Sequence, residues 1–139
     1  MSTEENKAIV RRYLQEGPRN PDIAAESLAS DAVYYDSGAP PSVGLEGQKQ
    51  RTNALLGAFP NVSFTIEDMV AEADKVAVRW NFQGTHRGPF ANISATGEEV
   101  VMTGMTIYRL EGGKIKEARS NFDMLGLLQQ LGAVPAPER

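Results

Sequence analysis

Residues 62–82 read VSFTIEDMVAEADKVAVRWNF, and the pattern of this segment is the clearest indication of the fold. Apolar and polar side chains alternate over residues 62–67 and again over residues 76–83. A period of two is the repeat of a strand that buries one of its faces. The intervening residues 72–75 favour a turn. The stretch therefore predicts two long strands joined by a short connection.

The segments on either side of this stretch extend the sheet. Downstream, residues 100–110 and 114–122 flank Glu111-Gly112-Gly113, a pattern typical of a hairpin turn. Upstream, residues 32–36 are rich in β-forming side chains and lead into a loop that contains glycine and two prolines. We expect one short early strand and then four long, mostly antiparallel strands.

Helices are predicted before and after these strands. Ser2 and Glu5 form a capping-box pattern, Asn20 precedes a proline as an N-cap residue does, and Asp123 precedes a last apolar segment. The predicted helices cover residues 3–16, 21–29, 45–59 and 124–131.

The predicted fold is a single α+β domain. With 139 residues, 41% of them hydrophobic, the chain is long enough for one core and too short for two domains. The order of elements predicts a cone-shaped α+β barrel, in which one curved mixed or antiparallel sheet wraps the N-terminal helices. Such a cone encloses a pocket, where we expect the functional residues. The tail over residues 133–139 is expected to be loosely held.

The composition excludes several classes of function. The chain has no cysteine and one histidine, which excludes disulfides, a thiolate nucleophile and a multi-histidine zinc site. We expect no metal and no cofactor. The net charge of -4 is a poor match to nucleic acid. No apolar run is long enough to span a bilayer and the acidic start does not resemble a secretory signal, so we expect no membrane partner and a cytoplasmic location.

Three residues near the ends of predicted elements could act in catalysis or in structure. Asp36 ends the early strand, where it is either a general base in the pocket or a solvent-exposed turn residue. Tyr13 lies on the apolar stripe of the first helix, where it either packs or donates its hydroxyl hydrogen to a ligand. Asp123 is expected to cap the last helix.

Three polar residues on and after the later strands have two interpretations each. His86 is the only side chain that ordinarily titrates near neutrality, and it is either a structural donor or a catalytic group. Arg79 and Asn81 share one face of a predicted strand. If that face points inward, the pair would orient the polar end of a ligand; if it points outward, the pair is solvated.

Several short motifs occur in a characteristic order along almost the whole chain. They are FPNV at residues 59–62, GTHRGPF at 84–90, ATG at 95–97, GKI at 113–115 and DMLGLLQQLG at 123–132. In their order and spacing they resemble the SnoaL-like polyketide cyclase family. The resemblance implies the cone-shaped fold of the nuclear transport factor 2-like superfamily and a hydrophobic, polyketide-like small molecule as the ligand.

The resemblance also suggests roles for individual residues. The aspartate of the family's aldol cyclases corresponds to Ser120, and the Arg-x-Asp motif of related epoxide hydrolases corresponds to Arg79-Trp80-Asn81. The more distant ketosteroid isomerases have a tyrosine that matches Tyr13 and an aspartate base that matches Asp36. Their second oxyanion donor falls near Met105. Both the cyclase and the hydrolase aspartates are therefore replaced in this chain.

Two main hypotheses follow, an enzyme and a binding protein. In the first, the chain is a cofactor-independent enzyme that removes a proton next to a carbonyl group. Its predicted catalytic residues are Asp36, Tyr13 and His86, and its predicted substrate-binding residues are Tyr34, Arg79, Asn81, Met105 and Ser120. In the second, it is a non-catalytic ligand-binding or accessory protein, which the serine at position 120 favours. A polyketide hydroxylase is a third possibility, and in each case we expect a homodimer through the outer face of the sheet.

Overall fold

The computed structural model describes residues 2–135, which form four α-helices and one six-stranded sheet. The elements are α1 (Thr3–Glu16), α2 (Pro21–Ser27), β1 (Leu28–Asp36), β2 (Ser42–Val43), α3 (Gly44–Ala58), β3 (Ser63–Glu72), β4 (Lys75–Thr85), β5 (Glu99–Glu111), β6 (Lys114–Phe122) and α4 (Met124–Gln130). None of the helices in the described part of the chain is long and apolar enough to cross a membrane. Residues 136–139, most of the tail predicted to be loosely held, lie outside the described residues.

The strands form one mixed sheet in the order β2-β1-β6-β5-β4-β3. The four long strands β3 to β6 pair antiparallel with one another, as predicted. Gly112 and Gly113 join β5 to β6 with φ angles of 58° and 80°, in the left-handed region that glycine adopts without strain. By contrast, β1 pairs in parallel with β6, which brings an early strand beside the last one. The two-residue strand β2 was not predicted.

The alternating sequence of β4 distributes its side chains between the two faces of the sheet. The buried apolar set is Val76, Val78, Trp80 and Phe82. These residues belong to the same core cluster as Val10 of α1 and Phe59, which follows α3, and both of these are 0% exposed. Each fully buried apolar side chain of this size contributes roughly 1.5–3 kcal/mol to stability. The core therefore lies between the helices and the inner face of the sheet.

The helix ends follow the predicted capping patterns. The Ser2 hydroxyl accepts from the Glu5 N–H at 3.1 Å, and the Glu5 carboxylate accepts from the Ser2 N–H at 3.1 Å, which completes the capping box of α1. Asn20 accepts from two backbone N–H groups of α2. Asp123 Oδ1 accepts from the Gly126 N–H at 2.9 Å. The prediction that Asp123 caps α4 is confirmed.

Candidate functional site

A cavity of about 440 Å³ lies between helices α1 and α3 and the inner face of the sheet. Its volume is within the usual range of small-molecule sites, roughly 300–1,000 Å³. Most of the wall is apolar. Six aromatic side chains without a hydroxyl group contribute to it: Phe59, Phe64, Trp80, Phe82, Phe90 and Phe122. Such a wall suits a hydrophobic ligand with planar rings.

Two rows of polar side chains cross the sheet and reach this cavity. In one row, Asp36 on β1 is the register partner of Ser120 on β6, which in turn pairs with Thr106 on β5. In the other row, Tyr34 on β1 and Tyr108 on β5 face each other across β6. Because register partners on adjacent strands project from the same face, all five side chains point to one side of the sheet. All five line the cavity.

Asp36 is paired with an arginine inside this cavity. Arg51 on α3 donates from Nε to Oδ2 at 2.7 Å and from Nη2 to Oδ1 at 3.0 Å. The side chains are 14% exposed for Asp36 and 30% exposed for Arg51, so this two-pronged pair is shielded from much of the solvent. Burial lowers the pKa of Arg51, but the hydrogen bonds to Asp36 and electrostatic interactions with Tyr34, Asp36 and Tyr13 raise it more. The resulting pKa lies above the ordinary value. Arg51 therefore stays charged, and its positive charge offsets the negative charge of the Asp36 carboxylate.

Arg51 is one of the site residues that the sequence interpretation missed, together with Trp80, Thr106 and Tyr108. Gln48, Arg51, Thr52 and Leu55 follow the three- and four-residue spacing of one helical face, and all four line the cavity. Because three of these residues are polar, the face lacks the apolar stripe by which buried helix faces are usually found. The sequence feature that could have identified Arg51 is its position as a single basic residue among uncharged residues on one face of the predicted helix.

Three buried tyrosines lie near the ion pair. The Tyr34 hydroxyl donates to the Tyr13 hydroxyl, and the rings of Tyr13 and Tyr108 pack edge to face with centroids 6.3 Å apart. The Arg51 guanidinium lies 4.1 Å from the centre of the Tyr34 ring, a favourable cation–π contact. Burial raises the pKa of all three hydroxyls, so they remain neutral hydrogen-bond donors near neutral pH. Since Tyr13 accepts from Tyr34, its own hydrogen is free to donate into the cavity.

Half of the predicted site residues meet at this cavity. Tyr13, Tyr34, Asp36 and Ser120 line it together. Their roles in catalysis and binding stay predictions. Within residues 2–135, no three histidine, aspartate or glutamate side chains are grouped so as to hold a metal ion.

Arg79, Asn81 and Met105 lie on the outer face of the sheet, which corrects the expectation that they contact a ligand in the cavity. The apolar residues of β4 point inward, so the intervening Arg79 and Asn81 point outward. There Arg79 Nη2 lies 2.6 Å from Asp68 Oδ2, and the Asn81 side chain donates to Glu67. Met105 is the register partner of Arg79 and is 57% exposed.

His86 is buried but does not line the cavity, which corrects its predicted position beside a ligand. Its Nδ1 accepts from the Thr96 N–H at 3.1 Å, and its ring packs against Phe59 with centroids 5.6 Å apart. Among the described residues, no group bonds to Nε2. These contacts fix the segment between β4 and β5.

Comparison with known proteins finds a matching family model and several similar solved structures. A model of the SnoaL-like polyketide cyclase family matches residues 7–131. No curated protein matches the chain significantly. AclR, a candidate hydroxylase from Streptomyces galilaeus, is 26% identical with a TM-score of 0.87, and the match covers 99% of this chain and 87% of that chain. IdmH, a candidate polyketide cyclase from Streptomyces antibioticus, is 27% identical with a TM-score of 0.78, covering 95% and 99%.

A more distant structure identifies the fold. A protein from Catenulispora acidiphila described as having a ketosteroid isomerase-like fold is 20% identical with a TM-score of 0.74, covering 94% of this chain and 95% of that chain. The predicted fold class, a nuclear transport factor 2-like cone of helices and sheet, is confirmed.

Proposed function

Since the chain belongs to the SnoaL-like polyketide cyclase family, we propose that it binds a hydrophobic, carbonyl-bearing molecule of the polyketide type and removes a proton next to the carbonyl. Asp36 is the base, and Tyr13 stabilises the enolate that forms. The similarity to IdmH, named as a polyketide cyclase, supports ring formation as the outcome.

The observation that carries this proposal is the position of one carboxylate in a largely apolar cavity. Asp36 is the acidic side chain among the described residues that line the wall. Its charge is cancelled by Arg51, so the wall offers no net charge to a ligand. Moving a carboxylate or phosphate group from water into this cavity would cost much free energy, because the described lining has no unpaired cation to bind it. An uncharged ligand therefore fits best.

Proton removal uses the lone pairs of Asp36 that Arg51 leaves free. A carboxylate has about four lone-pair positions. Arg51 occupies one on each oxygen and holds the group in one orientation. A free lone pair takes the proton from the substrate carbon. As that C–H bond breaks, its electron pair forms the C=C bond of an enolate and the carbonyl electron pair moves onto oxygen.

The negative charge then develops on the carbonyl oxygen, where Tyr13 donates. A donor that is already fixed before the reaction typically contributes about 3 kcal/mol to the transition state. The enolate carbon next attacks a second carbonyl carbon of the same molecule, and the alkoxide formed there takes the proton from Asp36. A ring closes, and Asp36 returns to its carboxylate form.

A second candidate function is binding without turnover. It is favoured by the Asp36–Arg51 pair, because each carboxylate oxygen already accepts one hydrogen bond and fewer lone pairs remain for a proton. Hydroxylation is a further candidate, favoured by the similarity to AclR.

Hydrogen exchange of 2-tetralone, an uncharged aromatic ketone, distinguishes turnover from binding. Uptake of deuterium next to its carbonyl can be followed by NMR in D₂O. We expect the wild-type chain to accelerate uptake and Asp36→Asn to reduce that acceleration by about 100-fold or more, because a general base contributes ~10²–10⁴-fold. The dissociation constant should change by less than about threefold, since the amide is isosteric and the ligand is uncharged.

Asp123→Asn is the matched control for this experiment. It changes the same side chain at a helix cap, where asparagine serves about as well as aspartate, so exchange should be retained. Loss of exchange in folded Asp123→Asn, with full exchange in Asp36→Asn, would overturn the proposal. Binding of 2-tetralone by the wild type without faster exchange would support binding without turnover.

A further inference from the structure

A chain of hydrogen bonds crosses the inner face of the sheet beside Asp36. The indole Nε1 of Trp80 lies 2.9 Å from Thr106 Oγ1, which lies 2.7 Å from Ser120 Oγ. The three residues are 6%, 3% and 8% exposed, respectively, and all three line the cavity. We name Trp80, Thr106 and Ser120 the hydroxyl relay.

The chemistry of the indole fixes the direction of the first of these hydrogen bonds. An indole N–H can only donate, so Thr106 Oγ1 is the acceptor of the first bond. Between the hydroxyls of Thr106 and Ser120, either oxygen can be the donor. When Thr106 donates to Ser120, the hydrogen of Ser120 is left to donate into the cavity.

A glycine allows the indole to take this position. A Cβ atom at Gly104 would lie 2.4 Å from Cζ2 of Trp80, far inside van der Waals contact. Gly104 and Trp80 are register partners on β5 and β4. The missing side chain lets the indole lie over the backbone of β5, from where Nε1 reaches Thr106.

We propose that the hydroxyl relay holds the Ser120 O–H as a donor to a carbonyl oxygen of the ligand. Ser120 touches the ligand, whereas Trp80 and Thr106 are positioning residues that act through it. The inference rests on the proposed function for the class of ligand, and it adds that the cavity selects ketones over hydrocarbons of the same shape. In the described structure the neighbouring Asp36 carboxylate accepts from Arg51, and no hydrogen bond joins it to Ser120.

The matched ligands 9-fluorenone and fluorene test this selection. Both are planar, uncharged and tricyclic, and fluorenone alone has a carbonyl oxygen. The carbons next to that carbonyl bear no hydrogen, so binding is measured without turnover and independently of the 2-tetralone result. Affinities can be followed by the fluorescence of Trp80, the single tryptophan of the chain, and the hydrogen bond by the C=O stretching frequency of bound fluorenone.

Removal of the Ser120 donor should weaken the preference for the ketone. We expect the wild type to bind fluorenone about tenfold more tightly than fluorene, the effect of one buried hydrogen bond. Ser120→Ala should lose most of this preference and raise the C=O frequency of bound fluorenone. Thr106→Val, which keeps the shape but removes the hydroxyl, should lose most of the preference, and Thr106→Ser should restore it.

Thr103→Val controls for the loss of a threonine hydroxyl on the same strand, because Thr103 is exposed on the other face of β5. It should behave as the wild type does. The proposal is overturned if the wild type shows no preference for fluorenone, including by binding neither ligand. It is also overturned if Ser120→Ala or Thr106→Val keeps both the wild-type preference and the wild-type C=O frequency.

Discussion

At the scale of single residues, the three buried tyrosines make the stability of the chain depend on alkaline pH. Burial raises the pKa of Tyr13, Tyr34 and Tyr108 above the ordinary value of 10.0. In the folded chain these hydroxyls stay protonated at pH values where the unfolded chain loses the protons. The contribution of these tyrosines to the free energy of unfolding is therefore fully present below about pH 10. Above that pH the free energy of unfolding falls by about 1.4 kcal/mol per pH unit for each tyrosine.

Urea unfolding between pH 9 and 11.5 measures this effect. We expect the free energy of unfolding of the wild type to fall steeply above pH 10, and that of Tyr108→Phe to fall less steeply because one titrating group is absent. Lysine titration affects both proteins equally, so the difference between the two slopes isolates the tyrosine. Parallel pH profiles would contradict the prediction.

Single residues also show which parts of the site could be predicted from the sequence and which could not. The alternation of β4 separates its residues into two faces, and its large apolar residues decide which face is buried, so the outward position of Arg79 and Asn81 follows from the pattern. Asp36 and Ser120 could be suspected from the family resemblance. Their adjacency could not be derived, because it depends on the pairing of β1 with β6, strands that are distant in sequence. The contact of Arg51 with Asp36 depends on how α3 packs, which local sequence does not determine.

At the scale of elements, the cap of α4 provides a simple test of local stability. We expect Asp123→Ala to lower the free energy of unfolding by about 1 kcal/mol, because the Gly126 N–H loses its side-chain acceptor. Asp123→Asn should lower it by less than about 0.5 kcal/mol, since the amide oxygen still accepts. Urea unfolding curves of the two variants measure the difference, and equal losses would argue against the cap.

Most elements were predicted well because their signals are local, although β1 begins at Leu28, within the segment predicted as the second helix, and is longer than expected. Capping residues, turn glycines and the two periodicities all act within a few residues, and they locate α1, α2, α4 and the long strands. The parallel pairing of β1 has no such local signal, since it depends on how all the elements pack together. The brief β2 escapes prediction because two residues are too few to show any period.

At the scale of the whole molecule, the outer face of the sheet leaves an apolar patch in water. Val101, Met105 and Ile107 on β5 are each more than half exposed. A patch of this kind is commonly covered by another chain, and we expect a homodimer through this face. Light scattering at micromolar concentration should give about 30 kDa, against 15.1 kDa for one chain.

Two charge-introducing variants test where the chains meet. Met105→Lys should shift the mass to that of one chain, because the new charge would be buried in the contact. Val43→Lys, at an exposed apolar residue on β2, should leave the mass unchanged. A wild-type mass of one chain, or a monomeric Val43→Lys beside a dimeric Met105→Lys, would contradict this arrangement.

The parallel pairing of β1 with β6 has a consequence for the order in which the molecule is built. Asp36 and Ser120 are register partners although they lie about 80 residues apart along the chain. Closing so long a loop costs entropy before any contact compensates for it, and proteins rich in such distant pairings fold slowly. The row of polar side chains that contains Asp36 and Ser120 is thus complete only when β1 has paired with β6. During synthesis on the ribosome, a growing chain would acquire the ability to recognise its ligand only after β6 has emerged.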